Sequence, residues 1–205
     1  MNNIEQILKD VNGFEEFAKE YFEYVYILLK QIDTGVLSAF VDELEAARQE
    51  QSTIFFIGNG GSAATASHMA TDFGFGLQHK TKTQKPLRVL SLTDNNAVML
   101  AISNDDGYDN LFVDQLRVLY QNGDKLVAIS ASGNSPNVVA AARWVKAQGG
   151  KVISLVGFDG GKLKPLSDVC LHVQTRSSEY GPVEDIHLII DHLLAYWLQR
   201  QMLSK

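Results

Sequence analysis

From Thr53 onward the chain alternates between short unbroken apolar runs and longer stretches in which apolar residues return every three or four positions. The runs are "TIFFI", "LRVLSL", "KLVAIS", "KVISLV" and "VCLHV". A strand wet on one face alternates apolar with polar residues, whereas a run apolar throughout belongs to a strand covered on both faces, with intervening helices supplying the cover. The pattern therefore predicts an α/β fold with a doubly wound, five-stranded parallel sheet.

The first fifty residues contain no comparable run. "FEEFAKEYFEYVYILLKQI" and "TGVLSAFVDELEAARQE" place apolar residues at helical spacing and predict a helical hairpin. Phe14, Phe17, Tyr21, Phe22, Tyr24 and Tyr26 offer more apolar surface than one thin face can hide, so the hairpin is expected to pack on the domain and on another subunit. After "KLVAIS", Ser135 and Pro136 suit the N-cap and first position of a helix. A last helix follows "TRSSEYGPVED" and carries "IHLIIDHLLAYWLQRQ". No linker, low-complexity tract or solenoid-period repeat divides the chain, and 1–205 reads as a single domain.

Composition narrows the function classes. A net charge of −6 over 205 residues argues against binding nucleic acid through bulk charge and favours work on small molecules. Cys170 is the only cysteine, so no disulfide forms within the chain, and a cytoplasmic location is expected. "MNNIEQILKD" lacks the blocks of a signal peptide, and no apolar run approaches the roughly 18 residues of a membrane span, so neither secretion nor membrane insertion is expected.

In an open parallel sheet, ligands bind beyond the carboxyl ends of the strands. Two loops there are rich in glycine and serine: "GNGGS", Gly58 to Ser62, and "SASGNS", Ser130 to Ser135. Glycines let backbone N–H groups approach an anion and serine hydroxyls donate to it, though either loop alone also reads as a tight turn. Gly58, Gly60 and Ala63 fit G-x-G-x-x-A, but the acidic residue that a dinucleotide site needs about 20 positions on is missing, since the second strand ends only at Asp94. A phosphate monoester explains the second serine loop better. Ionisable residues form a third feature. His68 and Asp72 lie four apart on the helix that "GNGGS" opens, and the last helix carries Glu184, His187 and His192, with Glu184 and His192 within about 80° of each other. A divalent metal such as zinc accepts this mixture of imidazole and carboxylate. His79 and His172 have only a structural reading.

Together, "GNGGSAATASHMATDF", "SND" at 103–105, "ISASGNSPNV", "GFDGGKL" and "VEDIHLIIDHLL" resemble the phosphoheptose isomerases, a branch of the sugar isomerase (SIS) domain family. The resemblance covers nearly the whole chain and implies a flavodoxin-like SIS fold. It further implies an enzyme that converts sedoheptulose 7-phosphate to glycero-manno-heptose 7-phosphate through an enediol, as a homotetramer with active sites built between subunits. Carried over by motif, Ser130, Ser132 and Ser135 would hold the phosphate, and Asn59, Gly60, Gly61, Asn104 and Asp105 would meet the sugar chain. Ser62, Ala131 and Glu184 would also face substrate. His68, Asp72, Glu184 and His192 fall where the family binds zinc, and Asp72 and His192 on its acid/base pair. Three positions depart from the family: Asp72 replaces its glutamate, Glu184 its glutamine ligand, and Ala131 the threonine of the phosphate loop. The alternatives are an isomerase of another sugar phosphate, or a non-catalytic phosphosugar-binding SIS regulator of the kind that associates with the replication initiator. A binding module needs the serine loops but not the joint presence of His68, Asp72, Glu184 and His192.

Overall fold

The computed structural model describes residues 1–204. Its strands are β1 (Thr53–Ile57), β2 (Arg88–Ser91), β3 (Lys125–Ser130), β4 (Lys151–Val156) and β5 (Val169–His172), all parallel in the order β2-β1-β3-β4-β5. β3 is buried at every position, as its unbroken apolar run requires, while the edge strands β2 and β5 are partly exposed. Successive side chains of a strand point to opposite faces. Ile54, Phe56, Val127 and Ile129 accordingly enter one core layer, whereas Phe55, Ile57, Leu126 and Ala128 enter the other.

The first layer is closed by α3 (Thr34–Glu50), α4 (Gly61–Thr71) and α9 (Tyr180–Leu203), through Phe40, Leu44, Met69, Ile186 and Leu194. The second is closed by α7 (Leu111–Leu119) and α8 (Pro136–Ala147), through Phe112, Leu116, Ala141 and Val145. The two helices expected at the N-terminus are α2 (Phe14–Lys30) and α3, between which the chain bends by 72°, and they are preceded by an unanticipated α1 (Asn3–Asp10). α1 buries no residue; Asn2 and Glu5 cap its start reciprocally, and Asn3 donates to the Tyr24 hydroxyl at 2.8 Å. Among the described residues no single helix is long and apolar enough to cross a membrane.

α4 does not end at Thr71. It widens into one π turn over Asp72–Gly76 and continues as α5 (Leu77–Thr81). A Cβ on Gly74 would lie 2.7 Å from Val89 Cγ2, so glycine lets this turn press against β2. α6 (Asn96–Asp105) follows β2. Because the chain leaves β1 towards β2 on one side and β3 lies on the other, a crevice opens between the carboxyl ends of β1 and β3.

Candidate active site

β1 runs into Gly58, where a Cβ would be 2.5 Å from the Ser62 carbonyl oxygen, and then into Gly60 at φ +54°. Those two glycines let the chain reverse tightly into the N-terminus of α4. β3 ends at Ser130 and turns through Gly133 at φ +62° into the N-terminus of α8. A Cβ on Gly133 would be 2.1 Å from the Gly160 carbonyl oxygen, so the turn after β4 is packed directly on this loop. Leu163 N–H donates to the Gly133 carbonyl (2.9 Å) and Gly157 N–H to that of Ala131 (2.8 Å), fixing the loop from beneath.

Between the two loops lies a cleft of about 260 Å³ lined by Asn59, Gly60, Gly61, Ser62, Ser130, Ala131, Ser132 and Ser135, with Tyr180 and Glu184 of α9 on its wall. Ser135 occupies the N-cap position of α8 but makes no capping bond; its hydroxyl sits 3.2 Å from that of Ser130. The positive ends of α4 and α8 and these hydroxyls give the cleft the character of an anion cradle. Asn59 exchanges amide hydrogen bonds of 2.8 and 2.9 Å with buried Asn137, and accepts from the Tyr108 hydroxyl at 2.9 Å, tying the β1 loop to α8. The Glu184 carboxylate rests on Gly61, where a Cβ would be 2.2 Å from Oε2. Burial, and then the charge of Asp185, raises its pKa above the ordinary carboxylate value.

Further along α4 and α9 a second group assembles. His68, Asp72, Asp191 and His192 each bring one ligand atom to within 4.8 Å of the others. His68 Nε2 is 3.2 Å from His192 Nε2, 3.6 Å from Asp191 Oδ2 and 3.7 Å from Asp72 Oδ2. Asp191 is fully buried, and no hydrogen bond reaches either of its oxygens. Burial, and then the charge of Asp72, pushes its pKa up to about 7. One turn earlier, His187 is also fully buried with neither ring nitrogen hydrogen-bonded; burial drives it down to about 4, which the nearby Val156 backbone only partly offsets. Two imidazole nitrogens and two carboxylates converging on one point, one of them buried without a donor, form a donor set suited to a divalent cation.

The SIS domain model matches residues 20–157. The phosphoheptose isomerase of Helicobacter pylori (strain P12) is 35% identical over 200 residues, covering 97% of each chain. That of a Nitratiruptor species is 37% identical over 183 residues, 88% of this chain and 95% of the other. The solved phosphoheptose isomerase of Neisseria gonorrhoeae superposes with a TM-score of 0.80 at 27% identity, over 92% of this chain and 100% of that one. The chain belongs to the phosphoheptose isomerase family. Membership of this SIS-domain family makes it an enzyme of the sugar-phosphate isomerase class.

For a phosphoheptose isomerase family member, the residues expected from its motifs are distributed in an informative way. The "GNGGS" and "SASGNS" residues meet in one cleft. His68, Asp72 and His192 meet in the second group, but Glu184 is not part of it and lies instead on the cleft wall. Asn104 and Asp105 sit exposed at the end of α6, hydrogen-bonded to each other at 2.7 Å, and are not among the residues lining the cleft. Asp191, Asn137, Tyr108 and Tyr180 were not anticipated from the sequence. Asp191 carried one signal: it is a carboxylate on the stripe that α9 buries, between Ile190 and Leu194 and four residues after His187.

Proposed function

We propose that the protein interconverts sedoheptulose 7-phosphate and glycero-manno-heptose 7-phosphate by proton transfer through an enediol. The observation that carries this is that α4 and α9, which bound the anion cradle at Gly61 and Glu184, also bear the His/Asp group further along. From Gly61 to His68 on α4, and from Glu184 to His192 on α9, the rise is roughly 10–12 Å. An extended seven-carbon chain with a terminal phosphate spans about 10 Å at roughly 1.25 Å per bond. With phosphate held by Ser130, Ser132 and Ser135, the first two carbons would reach the group.

In this reading Asp72 and His192 are the acid/base pair. One moves the proton between the first two carbons and the other moves it between their oxygens. Binding energy from the cradle holds the reacting carbons against them. His68, Asp72 and His192 would hold a divalent ion such as zinc, which when bound supplies electrophilic stabilisation of the developing oxyanion. A module that only binds phosphosugar would need the cradle and leave the convergence of four ionisable side chains without a use.

The assembly belongs to the same proposal. His192 borders a groove of about 410 Å³ with Tyr21, Phe22 and Tyr26 of α2. Phe14, Phe22, Tyr26, Ile189, Leu193, Tyr196 and Trp197 are all exposed, a surface that suits burial against further copies in a homotetramer with sites at subunit boundaries. A cytoplasmic enzyme fits the single cysteine. The mechanism is tested by incubating the protein with sedoheptulose 7-phosphate in heavy water. Deuterium on the reacting carbon of the product supports an enediol open to solvent; product formed without any deuterium uptake contradicts an enediol that exchanges its proton with solvent.

A further inference from the structure

We infer that Asp191, rather than Glu184, supplies the fourth protein ligand to a divalent cation held with His68, Asp72 and His192, and that Glu184 is left to shape the substrate cleft. This rests on the metal-assisted reading above and assigns ligands that the family resemblance distributes differently.

Geometry favours Asp191. A tetrahedral zinc site with bonds of about 2.0–2.1 Å separates its ligand atoms by roughly 3.4 Å. The separations from His68 Nε2 are 3.2, 3.6 and 3.7 Å to His192, Asp191 and Asp72. With the remaining separations all within 4.8 Å, the four ligand atoms surround a space that a single cation can fill. Two imidazole Nε2 atoms at 3.2 Å satisfy each other only when one of them carries a proton, whereas a cation accepts both lone pairs.

Burial supplies an independent argument. Asp191 has no exposed surface and no hydrogen-bond donor at either oxygen, an arrangement that folded proteins avoid unless a cation or a proton completes it. It approaches from the protein side of the group, while His68 and Asp72 remain 43% and 30% exposed and leave the outer face open to a further oxygen. Glu184 has a different neighbour: its carboxylate is packed on Gly61 at the start of α4 and lines the anion cradle. Charge balance points the same way. Two aspartates neutralise a divalent cation, and a third carboxylate would leave a net negative centre where an oxyanion has to develop.

The test is titration of Zn²⁺ into the metal-stripped, full-length protein by calorimetry, for the wild type, Asp191→Asn and Glu184→Gln. The wild type should take one Zn²⁺ per chain. Asp191→Asn should bind it about 100-fold more weakly, at or beyond the loss seen when outer-shell partners are removed, while Glu184→Gln should stay within about threefold. Thermal melting of the metal-free proteins separates ligation from folding, since Asp191→Asn removes a buried unpartnered carboxylate and should melt no lower than the wild type. Loaded with Co²⁺ instead, Asp191→Asn should show an altered visible absorption spectrum and Glu184→Gln the wild-type one. Equal Zn²⁺ affinity of Asp191→Asn and wild type, a 100-fold loss in Glu184→Gln, or a wild type that takes no Zn²⁺ would each overturn the assignment. Turnover of sedoheptulose 7-phosphate, measured on the same preparations, is a separate readout: the ligand assignment can fail with turnover intact, and can hold with turnover absent.

Discussion

Asp191 and His187 sit one turn apart on the buried side of α9, and burial acts on them in opposite senses. Asp191 is raised to about 7, so in the metal-free folded protein it keeps a proton that the unfolded chain has released by about pH 4. Stability from this group is complete below the unfolded value and is lost as pH rises through 7. His187, lowered to about 4, contributes stability above its unfolded value near 6.5 and loses it as pH falls towards 4. Urea unfolding of metal-free protein should therefore show Asp191→Asn gaining on the wild type between pH 4 and pH 8. A stability difference that does not grow over that range contradicts the buried-carboxylate account. Two further substitutions separate binding from chemistry. Ser132→Ala should raise KM several-fold and largely spare kcat. His192→Ala should lower kcat by about 10²–10⁴, the usual worth of a positioned acid or base. Unchanged turnover in His192→Ala would remove that residue from the chemistry.

At the level of elements, the phosphate loop is held by the turn after β4. Gly133→Ala would combine a left-handed backbone position with a methyl 2.1 Å from the Gly160 carbonyl oxygen, and strain of this kind costs on the order of 1–3 kcal/mol. It should lower the melting temperature and weaken protection by inorganic phosphate; a variant with wild-type values for both would show the loop to be independent of that turn. The strands buried on both faces were legible: "TIFFI", "KLVAIS" and "KVISLV" occupy β1, β3 and β4 from end to end. "LRVLSL" shortens to Arg88–Ser91 because β2 is an edge strand, where pairing ends before the apolar run does. α1 was not legible, since it has no buried stripe and is held by caps and by polar contacts to Tyr24 and Glu179. Neither was the π turn, which depends on how closely Gly74 approaches Val89. The two loops of the cleft could be read from glycine and serine placement. The sorting of Glu184 to the cleft and of Asp191 to the histidines could not, because it depends on the rotation of α9 against α4, which spacing along either helix leaves open.

For the whole molecule, the exposed aromatic and aliphatic residues of α2 and α9 carry the expectation of assembly. Sedimentation of the wild type should give a tetramer, and Trp197→Glu should shift it towards smaller species with a parallel loss of turnover; an active wild-type monomer would contradict sites built between copies. Cradle, His/Asp group and substrate length meet in one proposed reaction, and direct conversion tests it. Zinc-loaded protein incubated with sedoheptulose 7-phosphate should yield glycero-manno-heptose 7-phosphate, with product formation stopped by a chelator and restored by added Zn²⁺. A folded, zinc-loaded assembly that forms none of this product would contradict the account.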